Sequence, residues 1–133
     1  MLLGLHPLLT GDLLAHLDAL GHGDLLAVVD ANFPARKLGR RVVRVAGADA
    51  PSVARAIFTV APADPDEAIA IMIGPGGRGP VHEDLIAAVG SREPSELSRH
   101  AFYSLAAEAE LVVVTGEGRA YGNICVHKAA IAP

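Results

Sequence analysis

Three segments restrict what this chain can fold into. "LLAVV" at 25–29, "AIAIMI" at 68–73 and "LVVV" at 111–114 are each of strand length and contain no polar residue. A strand with one face in water alternates apolar and polar residues, whereas an uninterrupted apolar run has to be covered on both faces. The segments between these runs carry a helical period instead. In "TGDLLAHLDALG" the residues Leu13, Leu14, Leu17 and Leu20 share one helical face, with Thr10 placed as N-cap and Gly21 as C-terminal stop, so the spacing predicts a helix over 11–20. Further elements are expected as a strand in "RRVVRVAG", a helix after Pro51 with Val53, Ile57, Phe58 and Val60 on its apolar side, and a short helix in "VHEDLIAAVG". "RHAFYSLAAEAE" reads as a helix leading into "LVVVTG", and "YGNICVHK" as a last strand, while the segment just before Arg99 reads poorly as a strand. Helices alternating with double-sided strands predict an α/β fold, a three-layer α/β/α arrangement around a mainly parallel sheet. A chain of 133 residues accommodates one core, so a single domain over 1–133 is expected.

Composition narrows the partners. Hydrophobic residues make up 51% of the chain and charged residues 20%, and no apolar run approaches the length of a bilayer span. Apolar excess without a membrane segment points to surface buried between copies of the chain. A net charge of -4, with the 11 Lys and Arg residues read as scattered and no Trp to stack on bases, argues against nucleic acid. The amino-terminal "MLLGLHPLLTGD" lacks a basic leader pattern, so a soluble, cytoplasmic protein without membrane association is expected. Cys125, the single cysteine, sits in the apolar "NICVHK" and reads as a small buried hydrophobe.

In α/β sheets, ligands bind beyond the carboxyl ends of the strands. Asp30, Thr115, Gly116 and Glu117 fall there, followed by the loop to Tyr121 and Asn123. "GEGRAYG" is not a dinucleotide fingerprint, because its last glycine comes one place late and a strand follows where a helix is required. "GPGGRGP" at 74–80 lacks the Lys-Ser/Thr ending of a P-loop and reads as a turn. The histidines at 6, 16, 22, 82, 100 and 127 show no ligand spacing, so no metal site and no cofactor are expected. Nucleophile motifs are also missing, which leaves acid–base chemistry with His22, Asp24, Asp30, Arg99, His100, Tyr103 and Tyr121 as candidates. Each has a plainer role open to it: Asp24 as a turn cap, His100 and Tyr103 as residues lining a helix. His22 and Asp30 also bracket the first strand, and five strand residues span roughly 16 Å. One pocket holds both only if the chain bends or a second subunit contributes.

Three stretches, "LGHGDLLAVVDANFPA", "RHAFYSLA" and "VVVTGEGRAYGNICVHK", resemble in order and spacing the ribose pyranase and fucose mutarotase family. The resemblance covers nearly the whole chain. Gly-His-Gly-Asp, Asp-Ala-Asn-Phe-Pro and Tyr-Gly-Asn are similar to the fucose branch, whereas the ribose branch carries Gly-His-Thr-Asp, Asp-Ala-Gly-Leu-Pro and Tyr-Ala-Asn. The glycine-rich stretch at 74–80 departs from the family pattern. The resemblance implies a ring-like homo-oligomer, typically a decamer, with monosaccharide sites between subunits. It also implies His22 as proton donor and Asp30, Arg99, Tyr121, Gly122 and Asn123 as sugar-binding residues. The expected activity is interconversion of the anomers of a free sugar, L-fucose first. A D-ribose pyranase and a non-catalytic monosaccharide-binding protein are the alternatives. Histidine suits proton transfer because an ordinary imidazole, with a pKa of about 6.5, populates both states near neutrality.

Overall fold

A computed structural model describes residues 1–90 and 92–133. Among these residues six strands form one sheet: β1 (Leu25–Val29), β2 (Val42–Val45), β3 (Ala70–Met72), β4 (Ser95–Leu97), β5 (Leu111–Thr115) and β6 (Ile124–His127), in the order β2-β5-β1-β6-β3-β4. β1, β2 and β5 run parallel, as do β3 and β4, and β6 lies antiparallel between the two blocks. The reversed strand has a chain-length cause. Only residues 116–123 separate β5 from β6, and a parallel return needs a crossover of a dozen or more residues. The sheet is therefore mainly parallel, as expected, with one necessary exception.

Among the described residues, five helices cover it: α1 (Gly11–Asp18), α2 (Ala35–Leu38), α3 (Ala50–Phe58), α4 (Pro80–Val89) and α5 (Arg99–Ala106). All five residues of β1 are buried, and their side chains divide by parity. Leu26 and Val28 join Leu13, Leu17, Val53, Ile57 and Leu85 on one face, whereas Leu25, Ala27 and Val29 join Phe33, Phe102 and Ala106 on the other. This is the three-layer arrangement that uninterrupted apolar strands require. Thr10 caps α1 by accepting from Leu13 N at 3.3 Å, and Asp49 caps α3 by accepting from Ser52 N at 2.8 Å. α1 ends at Asp18, ahead of the predicted Gly21, because Gly21 enters a turn in which its N–H donates to Asp24 Oδ2 at 2.7 Å. Asp24 is thus the turn cap it resembled.

Two readings need correction. The segment before Arg99 does form a strand, β4: pairing with β3 through Ala70↔Ser95 and Met72↔Leu97 overrides weak local propensity, and an edge strand tolerates exposed Ser95 and Glu96. The cations are also less scattered than they read. Arg36, Lys37, Arg40, Arg41 and Arg44 lie exposed on α2, on the loop after it and along β2, the opposite edge. Charge there discourages pairing with another sheet edge.

Candidate active site at the carboxyl ends of the strands

Because β6 runs backwards, its amino end lies beside the carboxyl end of β1, in the register Val28↔Ile124. That register brings Asn123 against Asp30 across 93 positions of sequence. The Asp30 N–H donates to Asn123 Oδ1 at 2.8 Å, and Asn123 Nδ2 donates to Asp30 Oδ2 at 3.0 Å. Asn32 N donates to Asp30 Oδ1 at 3.0 Å. With Phe33 N–H as a third donor, the carboxylate keeps acceptor capacity for about one further donor. Asp30 is buried, and burial holds its carboxyl above the usual carboxylate range, with a smaller push from the Glu117 charge; the bonds from Asn123, Asn32 and Phe33 act against it. Asn123 also reaches Met72 Sδ at 3.6 Å, so its amide is fixed on every side.

Among the described residues, Tyr121 is the one non-glycine residue with positive φ, at 64°. Such a conformation costs on the order of 1 kcal/mol or more and persists where neighbours enforce it. Here Asn123 N donates to the Tyr121 carbonyl at 2.8 Å, and buried His82 donates from Nε2 to the carbonyls of Tyr121, at 3.1 Å, and Met72, at 2.8 Å. The tautomer of His82 is settled by its other nitrogen, which accepts from Gly79 N at 2.9 Å. The Tyr121 ring lies against Gly74, where a Cβ would come within 2.3 Å of ring carbon. Gly122 is equally confined, since a Cβ there would meet Glu117 Cγ at 2.8 Å. Glu117 itself is buried, bound through both oxygens by Arg119 at 2.9 and 3.0 Å, and held below the usual range chiefly by that guanidinium.

Arg99 is the first residue of α5, behind the Ser98 cap. It is exposed, and no ion pair engages it among the described residues. Arg99, His100 and Tyr121 line an open concavity of about 440 Å³ together with Gly74, Pro75 and Ser98. The structure therefore gathers Arg99 and Tyr121 at one mouth and Asp30 with Asn123 as a bonded pair, joined to that mouth through the Tyr121–Asn123 turn. Tyr103 packs edge-on to Phe33, with ring centroids 5.4 Å apart, and belongs to the core on that face.

His22 is elsewhere. It precedes β1 at the amino end, and its exposed ring meets buried Asp64, with Nε2 2.9 Å from Oδ2. Sequence reasoning missed Asp64, His82 and Gly74. Asp64 lies in "APADPDEA", which looks like an ordinary turn, and only the fold brings it to His22. His82 passed for one histidine of a short helix. A glycine chosen for space rather than conformation leaves no local signal.

What the fold and this cluster define is an α/β domain that gathers Arg99, His100 and Tyr121 around an open concavity, with the buried Asp30–Asn123 pair behind it, at the carboxyl ends of its strands. More narrowly, the chain belongs to the RbsD / FucU transport protein family, whose model matches residues 3–131. It is 36% identical over 138 residues to an L-fucose mutarotase of Histophilus somni, covering 96% of each chain. It is 35% identical over 147 residues to a fucose mutarotase of Danio rerio, covering 100% of this chain and 96% of that one. The crystal structure of the fucose mutarotase of Streptococcus pneumoniae in complex with L-fucose superposes with a TM-score of 0.87 at 27% identity, covering 98% of this chain and 100% of that one.

Proposed function

We propose that the protein is an isomerase that interconverts the α and β anomers of free L-fucose. The observation that carries this reading is the reciprocal Asp30–Asn123 pair beside Tyr121 and an Arg99 that no ion pair engages among the described residues, a set of acceptors and donors of the kind that sugar hydroxyls require. Mutarotase relatives at 35–36% identity over nearly the full chain support the same choice of sugar.

Mutarotation opens a cyclic hemiacetal. The anomeric hydroxyl gives up its proton, the ring oxygen accepts one, the bond between C1 and the ring oxygen breaks, and the aldehyde recloses on either face. In this reading His22 supplies the proton to the ring oxygen. Asp30 accepts from sugar hydroxyls, Arg99 donates to them, and Tyr121, Gly122 and Asn123 orient the ring. A positioned acid gives roughly 10²- to 10⁴-fold, enough for a reaction that already proceeds in water.

Because β1 separates His22 from Asp30, the working site joins His22 of one subunit to Asp30 of the partner subunit. The exposure of Met1, Leu2, Leu3 and Ile131 supports burial against further copies, and a ring-like decamer in the cytoplasm completes the reading. Among the described residues, no helix is long and apolar enough to cross a membrane.

The test is magnetisation transfer between anomeric proton signals, on L-fucose and on D-ribose, with and without protein. Faster exchange on fucose is expected. Acceleration confined to ribose would make the protein a pyranase, and binding without acceleration on either sugar would make it a carrier.

A further inference from the structure

His22 sits on an exposed turn, where an unsupported imidazole would have no fixed orientation. Asp64 supplies the orientation through the 2.9 Å contact of its Oδ2 with Nε2. Asp64 is in turn held from several sides. Its N–H donates to the His127 carbonyl at 2.8 Å, its Oδ1 accepts from Asp66 N at 2.9 Å, and Arg92 donates to the carbonyls of Asp64 and Glu67. His127 Nδ1 donates to the Gly23 carbonyl at 2.8 Å, so the carboxylate and the turn bearing His22 are anchored to the same strand, β6. The bond from Asp66 N, then the contact with His22, and the nearby Arg92 charge hold the Asp64 carboxyl below the usual range. At neutral pH it is an anion and can only accept.

We propose that Asp64 is a positioning residue that commits the Nε2–H of His22, so that the nitrogen exchanging a proton with the sugar is Nδ1. Among the described residues, Nδ1 has no hydrogen-bond partner. In the step itself, the Nδ1–H bond of the imidazolium breaks as the new O–H bond forms. The electron pair of the bond between C1 and the ring oxygen goes to that oxygen, and the anomeric hydroxyl releases its proton to a solvent water as C1=O forms. His22 is left neutral with its proton on Nε2, the tautomer that Asp64 selects. The inference rests on the role of His22 proposed above.

Imidazole ¹⁵N NMR of the whole protein tests the tautomer without reference to activity. Neutral His22 is expected as the Nε2–H form in the unmodified protein. Asp64→Asn keeps the size and an acceptor for Asp66 N, but it is expected to lose the tautomer preference. Its anomeric exchange on L-fucose should fall about 10- to 100-fold, the range seen when the outer partner of an oriented metal-bound histidine is removed. Sugar affinity and assembly mass should stay unchanged. An Nδ1–H tautomer in the unmodified protein overturns the proposal, and this spectrum decides it even if the variant fails to fold. Full exchange by Asp64→Asn overturns it as well, provided His22→Gln is inactive. Full exchange by His22→Gln would instead refute the catalytic role of His22 and leave the tautomer spectrum to judge Asp64.

Discussion

Replacing Gly74 with alanine tests the construction of the proposed sugar site with a single methyl group. The added Cβ would lie 2.3 and 2.4 Å from two carbons of the Tyr121 ring. Carbon atoms rest at about 3.5–4.0 Å, so the ring has to move by more than ~1 Å. The Gly74 backbone is outside the left-handed region, so alanine meets no conformational penalty and the whole effect comes from the clash. Tyr121 is half-buried and its ring can swing outward, which places the stability loss near the low end of the overpacking range, about 1 kcal/mol. Function should suffer more. A displacement of about 1 Å in a group that positions substrate costs on the order of 10²-fold. Magnetisation transfer on L-fucose, with affinity from titration calorimetry, measures it, and urea unfolding measures the stability. The double variant Gly74→Ala, Tyr121→Ala should recover the lost stability, because the clash has gone, without recovering exchange. Unaltered affinity and exchange in Gly74→Ala would refute the placement of Tyr121 in the site.

In the proposed site Asp30 would accept from sugar hydroxyls best as a carboxylate, so affinity should weaken as pH falls through its raised pKa, and Asp30→Asn should bind weakly without that acid limb. The stability sign is opposite to that of a paired acid: the native state holds this proton more tightly than the unfolded chain, so the contribution is present below the unfolded pKa and is lost as pH rises through the folded one. Arg119→Met leaves buried Glu117 with only the N–H donors of Ala50 and Arg119 and should cost about 1–3 kcal/mol in urea unfolding. Glu117 has a lowered pKa, so its contribution should fade as pH drops through the folded value, and that fading should be absent from the variant. A strong chelator should leave anomeric exchange intact, since hemiacetal opening is carried here by proton transfer; loss restored by one added metal would contradict that.

The double-sided strands were legible because burial on both faces removes every polar residue from "LLAVV" and "LVVV", a signal that survives without knowledge of neighbours. Caps were legible for the same local reason, as at Thr10. β4 was not, since Ser95–Leu97 becomes a strand through pairing with β3 rather than through its own residues. Asp30 and Asn123 could each be singled out, but their reciprocal bonds depend on the reversal of β6, a matter of topology. Asp64 was invisible, because what distinguishes it is a neighbour 42 positions away. Gly74 was hidden for a related reason: its small size matters only to a ring that arrives from the far end of the chain.

In the proposed mechanism a proton donor from one subunit serves the sugar bound to another. Mixing two inactive variants tests it. His22→Gln keeps an intact Asp30, and Asp30→Asn keeps an intact His22. Co-expressed in equal amounts and assembled at random, they should place both native groups at about one site in four, because each site draws one group from either subunit of a symmetric assembly. Anomeric exchange on L-fucose should therefore recover to about a quarter of the unmodified rate, in assemblies whose mixed composition is confirmed by native mass spectrometry. Mixed assemblies that remain as inactive as either parent would show that His22 and Asp30 do not meet across an interface, and the mechanism proposed for this protein would fail.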